Sequence, residues 1–440
     1  MKRIFSSLRQ LGLLIAIFLL FPVMTANAAG RVQQTGHPIV IVIDPGHGGD
    51  NNGTTENGFL EKEMTMTTAL AMKEALSQFD DVEIYLTHED DKDLTLKERA
   101  QFAKKHNADF LISLHYNASE THLLYGAEVW ISLIPEYHVP GYQLGTAILR
   151  EFRDLGLPLR GIKTRRHSKG MDYYGILREA ATLGLPAMIV EHCHVDNAKD
   201  SVFCDSRDEL IAFGEADARA VAKYFGLKST ALDLDYSKEM TELPAVTPGE
   251  LVGRAMQDTT DPTLCEISLK EAIYDQDLVT VEVKAEDPDS NLIYYAYSLD
   301  GGKTFCDNLI WPEGDVLTGE YKGITDITLE IPDGTVPQIC FKVTNPYDLS
   351  KTSNVLAFER AFQKPVATAK PSPQEFHDAT ADLLPEKEAE TDPFDKITEI
   401  LLIAIPVVTI LFVIALFLYL FHARREKSRK RKTSKKGRKS

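Results

Sequence analysis

The feature that most constrains this sequence is a regular alternation of strand-like and helix-like segments between residues 36 and 226. Ile39-Val-Ile-Val-Ile43 is a continuous β-branched run, which is typical of a strand buried on both faces. Further strand-like segments lie at 82–87, 110–115, 126–131 and 187–191, and helix-like segments lie at 63–78, 94–106, 143–155 and 208–225. This alternation predicts an α/β fold, with a largely parallel or mixed sheet and helices on both faces.

The pattern of strand-like and helix-like segments changes after residue 226. Residues 227–261 lose the alternation and indicate a linker. Residues 262–360 contain short alternating segments, such as Leu278-Val-Thr-Val-Glu-Val283, and predict a small immunoglobulin-like β-sandwich. We interpret this domain as a spacer or a partner-binding module, with glycan binding as the alternative. Residues 361–399 are rich in proline and acidic residues, which is typical of a stalk.

Two apolar runs at the ends of the chain predict its location. Residues 1–28 combine a basic start, an apolar run and Ala26-Asn27-Ala28, which indicates a signal peptide; an uncleaved N-terminal anchor is the alternative. Residues 400–421 carry no charge and are long enough to form a transmembrane helix. The polybasic tail at 422–440 is then cytoplasmic. We therefore expect a single-pass cell-membrane protein whose body is extracellular.

Charge and cysteine content narrow the classes of function. The formal net charge of −17 argues against a general nucleic-acid binder. The five cysteines are an odd number, so in an exported chain at least one thiol is unpaired or pairs with another chain. A disulfide between Cys306 and Cys340 is one alternative, since spacing does not determine connectivity. Cys193 is expected to be a small apolar core residue rather than a nucleophile.

Ionisable side chains follow three of the predicted strands directly. His47 lies in the turn Asp44-Pro-Gly-His-Gly-Gly49 after the first strand, His115 ends the third strand, and Glu191 ends the strand at 187–191. The carboxyl ends of strands form the edge where open α/β sheets place their sites. Glu61 begins the first helix, fourteen residues past His47. We therefore expect these four side chains to converge.

Two histidines and one carboxylate form a standard catalytic zinc set that leaves a position for water. We assign His47, Glu61 and His115 as Zn²⁺ ligands and Glu191 as the general base. His192 and His194 are alternative metal ligands, but strand alternation points both away from Glu191.

These motifs resemble a known family. Asp44-Pro-Gly-His-Gly-Gly49, Glu61-Lys62, Arg99, Ser113-Leu-His-Tyr-Asn-Ala118 and Glu191 with Asn197 resemble the zinc-dependent N-acetylmuramoyl-L-alanine amidases of the amidase-3 type, which are bacterial cell-wall hydrolases. The resemblance covers residues 36–226. It implies hydrolysis of the amide between the lactyl group of N-acetylmuramic acid (MurNAc) and L-Ala of the peptidoglycan stem peptide. It also implies that His47, Glu61 and His115 hold zinc and that Glu191 is catalytic.

Several residues depart from the family pattern. After Glu191, Cys193 replaces a glycine and His194 a phenylalanine, which bears on substrate preference. The basic stretch at 161–174 is longer than the family pattern, and we interpret it as a solvated loop, with contact to the acidic stem peptide as the alternative. Arg99 is interpreted as structural.

Two other functions stay open at this point. The domain is alternatively a non-hydrolytic peptidoglycan-binding or regulatory module, or a zinc peptidase that cuts another stem-peptide bond. A complete ligand set and base favours the amidase over the non-hydrolytic module, and the order of the motifs argues against the peptidase. The β-sandwich is expected to be the contact surface for a protein activator or for a partner in the division or wall machinery.

Overall fold

A six-stranded sheet organises the first half of the chain. The computed structural model describes residues 37–239 and 243–363. The strands of this sheet are β1 (Ile39–Pro45), β2 (Val82–Leu86), β3 (Phe110–Asn117), β4 (Ala127–Ile131), β5 (Leu159–Lys163) and β6 (Ala187–His194). Their order across the sheet is β2-β1-β3-β6-β4-β5.

Strand direction makes this a mixed sheet. Strands β2, β1, β3 and β6 are parallel, whereas β4 runs antiparallel to β6 and parallel to β5. The beginning of β4 therefore lies at the same edge as the carboxyl ends of β1, β3 and β6. In this register Glu128 of β4 is paired with Glu191 of β6, and Glu191 is paired with His115 of β3.

Within the described residues, six α-helices cover the two faces of the sheet. They are α1 (Glu61–Leu76), α2 (Leu96–Lys105), α3 (Pro135–Asp154), α4 (Gly175–Thr182), the single turn α5 (Ala198–Ser201) and α6 (Arg207–Phe225). Helices α1, α3 and α6 share one apolar core with the sheet, and α2 and α4 share the core on the other face. The predicted α/β fold with helices on both faces is confirmed.

Local sequence signals set the helix ends. Thr95 and Ser206 each form a capping box with the glutamate three residues later, which satisfies free N–H groups at the starts of α2 and α6. Gly226 ends α6 in the left-handed conformation at φ +64°, as its position predicts. Helix α3 begins eight residues before the predicted Gln143, because Pro135 occupies its first turn and a proline there costs no hydrogen bond.

The second half of the chain is built from antiparallel strands. They are β7 (Lys228–Ser229), β8 (Leu234–Asp235), β9 (Leu264–Ile273), β10 (Leu278–Glu286), β11 (Tyr294–Ser298), β12 (Leu309–Ile310), β13 (Gly314–Asp315), β14 (Glu320–Tyr321), β15 (Ile324–Glu330), β16 (Gln338–Thr344), β17 (Ser350–Thr352) and β18 (Leu356–Ala357). The sheets β15-β10-β9 and β12-β11-β16-β17 enclose a core that includes Val281, Ile327 and Phe341. All five cysteines are free thiols, so Cys306 and Cys340 are not joined.

The two halves pack into one compact unit through buried polar contacts. Arg160 of β5 donates hydrogen bonds to the hydroxyl of Tyr294 at 3.1 Å and to the carbonyl of Pro346 at 3.2 Å. It also pairs with the carboxylate of Asp348 at 2.8 Å. Lys163 donates to the same Pro346 carbonyl at 2.7 Å. The antiparallel half therefore holds the outer strand of the mixed sheet.

The predicted location in the cell membrane is contradicted. Among the residues that the structure describes, every helix is too short or too polar to cross a bilayer. The two longest, α3 and α6, have 20 and 19 residues but carry charged residues along their length. This finding corrects the expectation of a single-pass protein with an extracellular body. The predicted transmembrane helix at 400–421, the signal peptide at 1–28, residues 364–399 of the stalk and the tail at 422–440 lie outside the described residues.

Candidate metal centre and active site

Asp44 and Arg99 shape the turn that carries the first histidine. The buried carboxylate of Asp44 accepts hydrogen bonds from Arg99 at 2.7 Å, Ser113 at 2.7 Å and Thr87 at 2.6 Å. Arg99 also donates to the carbonyl oxygens of Pro45 at 2.6 Å and of residue 47 at 2.7 Å. Arg99 is thus structural, as predicted, and its fork of donors fixes the backbone of the turn.

The backbone at His47 is held in an unusual conformation. His47 has φ +68°, a left-handed value that non-glycine residues seldom adopt. The neighbouring Gly46 is required for close approach, because a Cβ there would lie 2.4 Å from Cε1 of the His115 ring. The imidazole of His47, in the turn after β1, can therefore approach the imidazole of His115 in β3, with ring centroids 5.0 Å apart and the rings nearly perpendicular.

Glu61, at the start of α1, joins the two histidines. Its Oε1 lies 3.0 Å from Nε2 of His47 and 3.0 Å from Nδ1 of His115. The other oxygen accepts the backbone N–H of Thr54 at 2.8 Å. Burial alone would raise the pKa of Glu61, but hydrogen bonds from His115 and His47 hold it far below the usual value.

These three residues form the candidate metal centre. One donor atom from each of His47, Glu61 and His115 lies within 4.8 Å of the other two. Asn51 fixes the ring of His47, since its side-chain oxygen lies 3.0 Å from Nδ1 and leaves Nε2 directed at the centre. Two imidazoles and one carboxylate on converging side chains suit a divalent transition metal. The donor set therefore fits zinc.

Glu191 lies beside this cluster on the adjacent strand. Its Oε2 is buried and has no hydrogen-bond partner within the described residues. Burial, together with the nearby carboxylates of Glu61 and Glu128, raises the pKa of Glu191 well above its usual value. A carboxyl group that has no fixed partner and a raised proton affinity is suited to accept and release a proton.

Glu128 was not predicted from the sequence. It is buried in strand register with Glu191, and its carboxylate accepts hydrogen bonds from Asn117 and from the indole of Trp130, both at 3.1 Å. Arg160 and Lys163 pair with its second oxygen at 2.6 and 2.5 Å. Burial would raise the pKa of Glu128, but these two cations lower it. A fixed negative charge therefore faces Glu191.

The residues that depart from the family pattern lie behind the site rather than in it. His192 is fully buried and bridges the backbone carbonyl of His115 and the carboxylate of Asp217, both at 2.9 Å. His194 is also buried, and Cys193 packs in the core. Neither His192 nor His194 belongs to the metal-ligating group found among the described residues. His192 instead anchors the strand that carries His115.

Comparison with known proteins matches this chain to one family. Residues 41–223 match the amidase-3 family, described as N-acetylmuramoyl-L-alanine amidase. The N-acetylmuramoyl-L-alanine amidase CwlM of Bacillus licheniformis is 30% identical over 197 residues, which cover 44% of this chain and 72% of that protein. The chain belongs to the amidase-3 family. The predicted family and enzyme class are thereby confirmed.

Further amidases show similar matches. A sporulation-specific N-acetylmuramoyl-L-alanine amidase of Bacillus subtilis is 29% identical over 195 residues, which cover 44% of this chain and 71% of that protein. The solved catalytic domain of the amidase CwlV from Bacillus (Paenibacillus) polymyxa var. colistinus is 25% identical, with a TM-score of 0.38, over 43% of this chain and 99% of that domain.

The amidase-3 motifs have distinct local tasks in this chain. Asp44 and Arg99 hold the first turn, and Lys62 donates to the carbonyl of Gly49 at 2.7 Å. Asn197 caps the short helix α5 through the N–H of Lys199 at 2.9 Å. Most of these motif residues therefore stabilise the loops around the candidate metal centre.

Proposed function

We propose that this amidase hydrolyses the amide between the MurNAc lactyl group and L-Ala of the peptidoglycan stem peptide, with zinc held by His47, Glu61 and His115 and with Glu191 as the general base. The observation that carries the proposal is the position of Glu61 Oε1, 3.0 Å from a nitrogen of each imidazole, beside the strand that bears Glu191.

The ligand roles follow from the chemistry of the donors. His47 and His115 would each offer a ring nitrogen, and Glu61 would offer the oxygen that now lies between them. When bound, zinc supplies a Lewis acid that polarises a carbonyl oxygen and lowers the pKa of water. The backbone N–H groups of Thr54 and Tyr116, at 2.8 and 3.1 Å from the Glu61 carboxylate, keep that carboxylate ionised and oriented.

Glu191 would carry the proton. Its free oxygen accepts a proton from the attacking water and later delivers it to the leaving amine of L-Ala. Burial disfavours a negative charge at Glu191, and the nearby carboxylates of Glu61 and Glu128 add to this effect. Glu191 therefore has a high affinity for the proton that it must hold between the two steps.

The test is a digest of purified peptidoglycan by the full chain with zinc, analysed by mass spectrometry. We expect free stem peptides with an L-Ala amino terminus. Glu191→Gln should bind one equivalent of zinc but release no stems, because glutamine cannot accept the proton. Glu63→Gln is the matched control, since Glu63 is exposed in the first turn of α1 and its substitution should leave both properties unchanged.

Three outcomes would contradict the proposal. A Glu191→Gln variant that still hydrolyses with metal bound would remove Glu191 from the mechanism. Cleavage elsewhere in the stem would indicate a peptidase. Intact stems from folded, zinc-loaded protein would indicate a binding module.

We also propose the domain boundaries that the sequence indicates. The catalytic domain is residues 36–226, the linker is 227–261, and residues 262–360 form a small immunoglobulin-like β-sandwich. Two antiparallel sheets around a shared apolar core support the sandwich. Its contacts with Arg160 and Lys163 favour a supporting role for the outer strand of the sheet over a role as a simple spacer.

A further inference from the structure

The basic stretch after β5 is a built hairpin, which we name the basic hairpin (residues 164–174). Its two arms are joined by backbone hydrogen bonds, including Tyr173 to Arg165 at 2.8 Å and His167 to Met171 at 2.8 Å. The buried carboxylate of Asp172 accepts from the hydroxyl of Ser132 at 2.7 Å and the N–H of Leu133 at 2.6 Å. The stretch is thus more ordered than the expected solvated loop, because Asp172 anchors the base of the hairpin to the mixed sheet.

The basic hairpin presents uncompensated positive charge. Arg165, Arg166 and Lys169 are exposed, and within the described residues none of them lies within 4.0 Å of a carboxylate oxygen. The one acid of the hairpin, Asp172, is buried and already committed to Ser132 and Leu133. The formal charge of the whole chain is −17, so this patch contrasts with the rest of the molecule.

Arg165 is held in place by aromatic side chains. Its guanidinium carbon lies 3.9 Å above the centre of the Tyr173 ring, which is close stacking for a cation over an aromatic face. The guanidinium also lies near the Tyr174 hydroxyl, where it lowers the pKa of that hydroxyl and partly offsets the effect of burial. Stacking fixes the plane of the guanidinium and leaves donors of its fork free for an incoming acceptor.

A chain of contacts connects this arginine to the proposed catalytic residues. The ring of Tyr174 lies 5.0 Å from the ring of Trp130, whose indole donates to Glu128 at 3.1 Å. Glu128 is the strand partner of Glu191. The carboxylates of Glu128 and Glu191 also contribute, after burial, to the raised pKa of the Tyr174 hydroxyl. Arg165 therefore flanks the proposed site on the side of Glu191.

We propose that Arg165 forms a carboxylate-binding subsite, with Arg166 and Lys169 adding positive potential, and that it receives a carboxylate of the acidic stem peptide while the scissile amide lies at Glu191. This inference rests on the proposed function, and it identifies an acidic peptide as the preferred substrate. An arginine fork pairs with a carboxylate in two parallel hydrogen bonds, so recognition is geometric as well as electrostatic.

The test compares two synthetic substrates on the full chain with zinc. The first is MurNAc-L-Ala-D-glutamate with both carboxylates free, and the second is the same compound with both carboxylates amidated. We expect wild-type kcat/KM to favour the acidic substrate by about tenfold, mostly through KM, as expected for one charge-assisted contact near solvent. Arg165→Gln should bring this ratio close to one, chiefly through a higher KM for the acidic substrate.

Controls separate the subsite from folding and from general charge. Lys104→Gln removes an exposed positive charge from α2 and should keep the substrate ratio of the wild type. Arg165→Lys retains charge without the fork and should restore part of the preference. Added salt should weaken the preference of the wild type, because exposed charge pairs are screened.

Some results would overturn the subsite. These are an unchanged substrate ratio in Arg165→Gln, or equal losses on both substrates. Failure of the proposed function is distinguishable, because wild-type protein would then hydrolyse neither compound. Calorimetric binding of both compounds to Glu191→Gln, with and without Arg165→Gln, measures the same preference without turnover.

Discussion

Replacing Arg160 with methionine should destabilise this amidase far more than an ordinary surface change. Arg160 is 2% exposed and pairs with Glu128, which is also 2% exposed, at 2.6 Å. Methionine keeps most of the apolar stem but removes every donor. The Glu128 carboxylate would keep Lys163 at 2.5 Å, while Asp348 and the carbonyl of Pro346 would lose their contacts with Arg160.

The size of the effect follows from burial. Removing one partner of a buried ion pair costs about 3–5 kcal/mol, and the remaining Lys163 places the expected loss near the lower figure, about 3 kcal/mol. Arg153→Met is the matched control. Arg153 pairs with Asp315 across the same contact between the two halves, at 3.3 Å, but the two side chains are 49% and 33% exposed. Such a pair contributes about 0.5 kcal/mol.

The assay is urea unfolding followed by tryptophan fluorescence. The chain has two tryptophans, with Trp130 in the mixed sheet and Trp311 in the antiparallel half. Variants that keep only one of them report each half separately. The wild-type transitions should coincide, and Arg160→Met should move both to lower urea or separate them. A loss in Arg160→Met below about 1 kcal/mol, as small as the loss expected for an exposed pair, would refute the reasoning.

Two further predictions concern the metal centre and acid stability. Gly46→Ala should abolish stoichiometric zinc binding, because its Cβ would displace the ring of His115, whereas Gly253→Ala, with no atom within 4 Å, should bind zinc normally in a metal titration. His138 donates from Nδ1 to a carbonyl and accepts the N–H of Val252 at Nε2, at 2.9 Å each, and burial lowers its pKa. Because His138 resists protonation in the folded state, the free energy of unfolding should fall as pH drops below about 6.5, by at most about 1.4 kcal/mol per pH unit. The free energy of unfolding of His138→Gln should depend less steeply on pH. An unchanged pH dependence in this variant would exclude His138 as the cause.

The convergence of four site residues could be predicted because the sequence indicates where each strand ends. His47, His115 and Glu191 follow apolar runs directly, and parallel strands bring such ends to one edge. Glu61 followed from its place at the start of a helix. Their proximity in the structure agrees with that expectation, while their roles in catalysis remain predictions.

Glu128 was not predicted as a site residue because the local sequence pattern does not indicate the direction of a strand. Nothing within Ala127–Ile131 indicates that this strand runs against β6, and only that reversal brings its first residues to the site. Strand β5 was missed for a related reason. Leu159–Lys163 contains two charged residues and a glycine, so it lacks an apolar pattern. Its charges are buried because partners distant in sequence neutralise them.

The buried contacts of Arg160 and Lys163 also bear on how such a protein can evolve. A catalytic domain joined to its neighbour only by a linker can exchange that neighbour by recombination within the linker. Here an exchange at 227–261 would deliver a new partner without the carbonyl of Pro346 or the carboxylate of Asp348. Arg160 and Lys163 would then share the carboxylate of Glu128 and lose their acceptors in the second half. We therefore expect changes on either side of this contact to be inherited together.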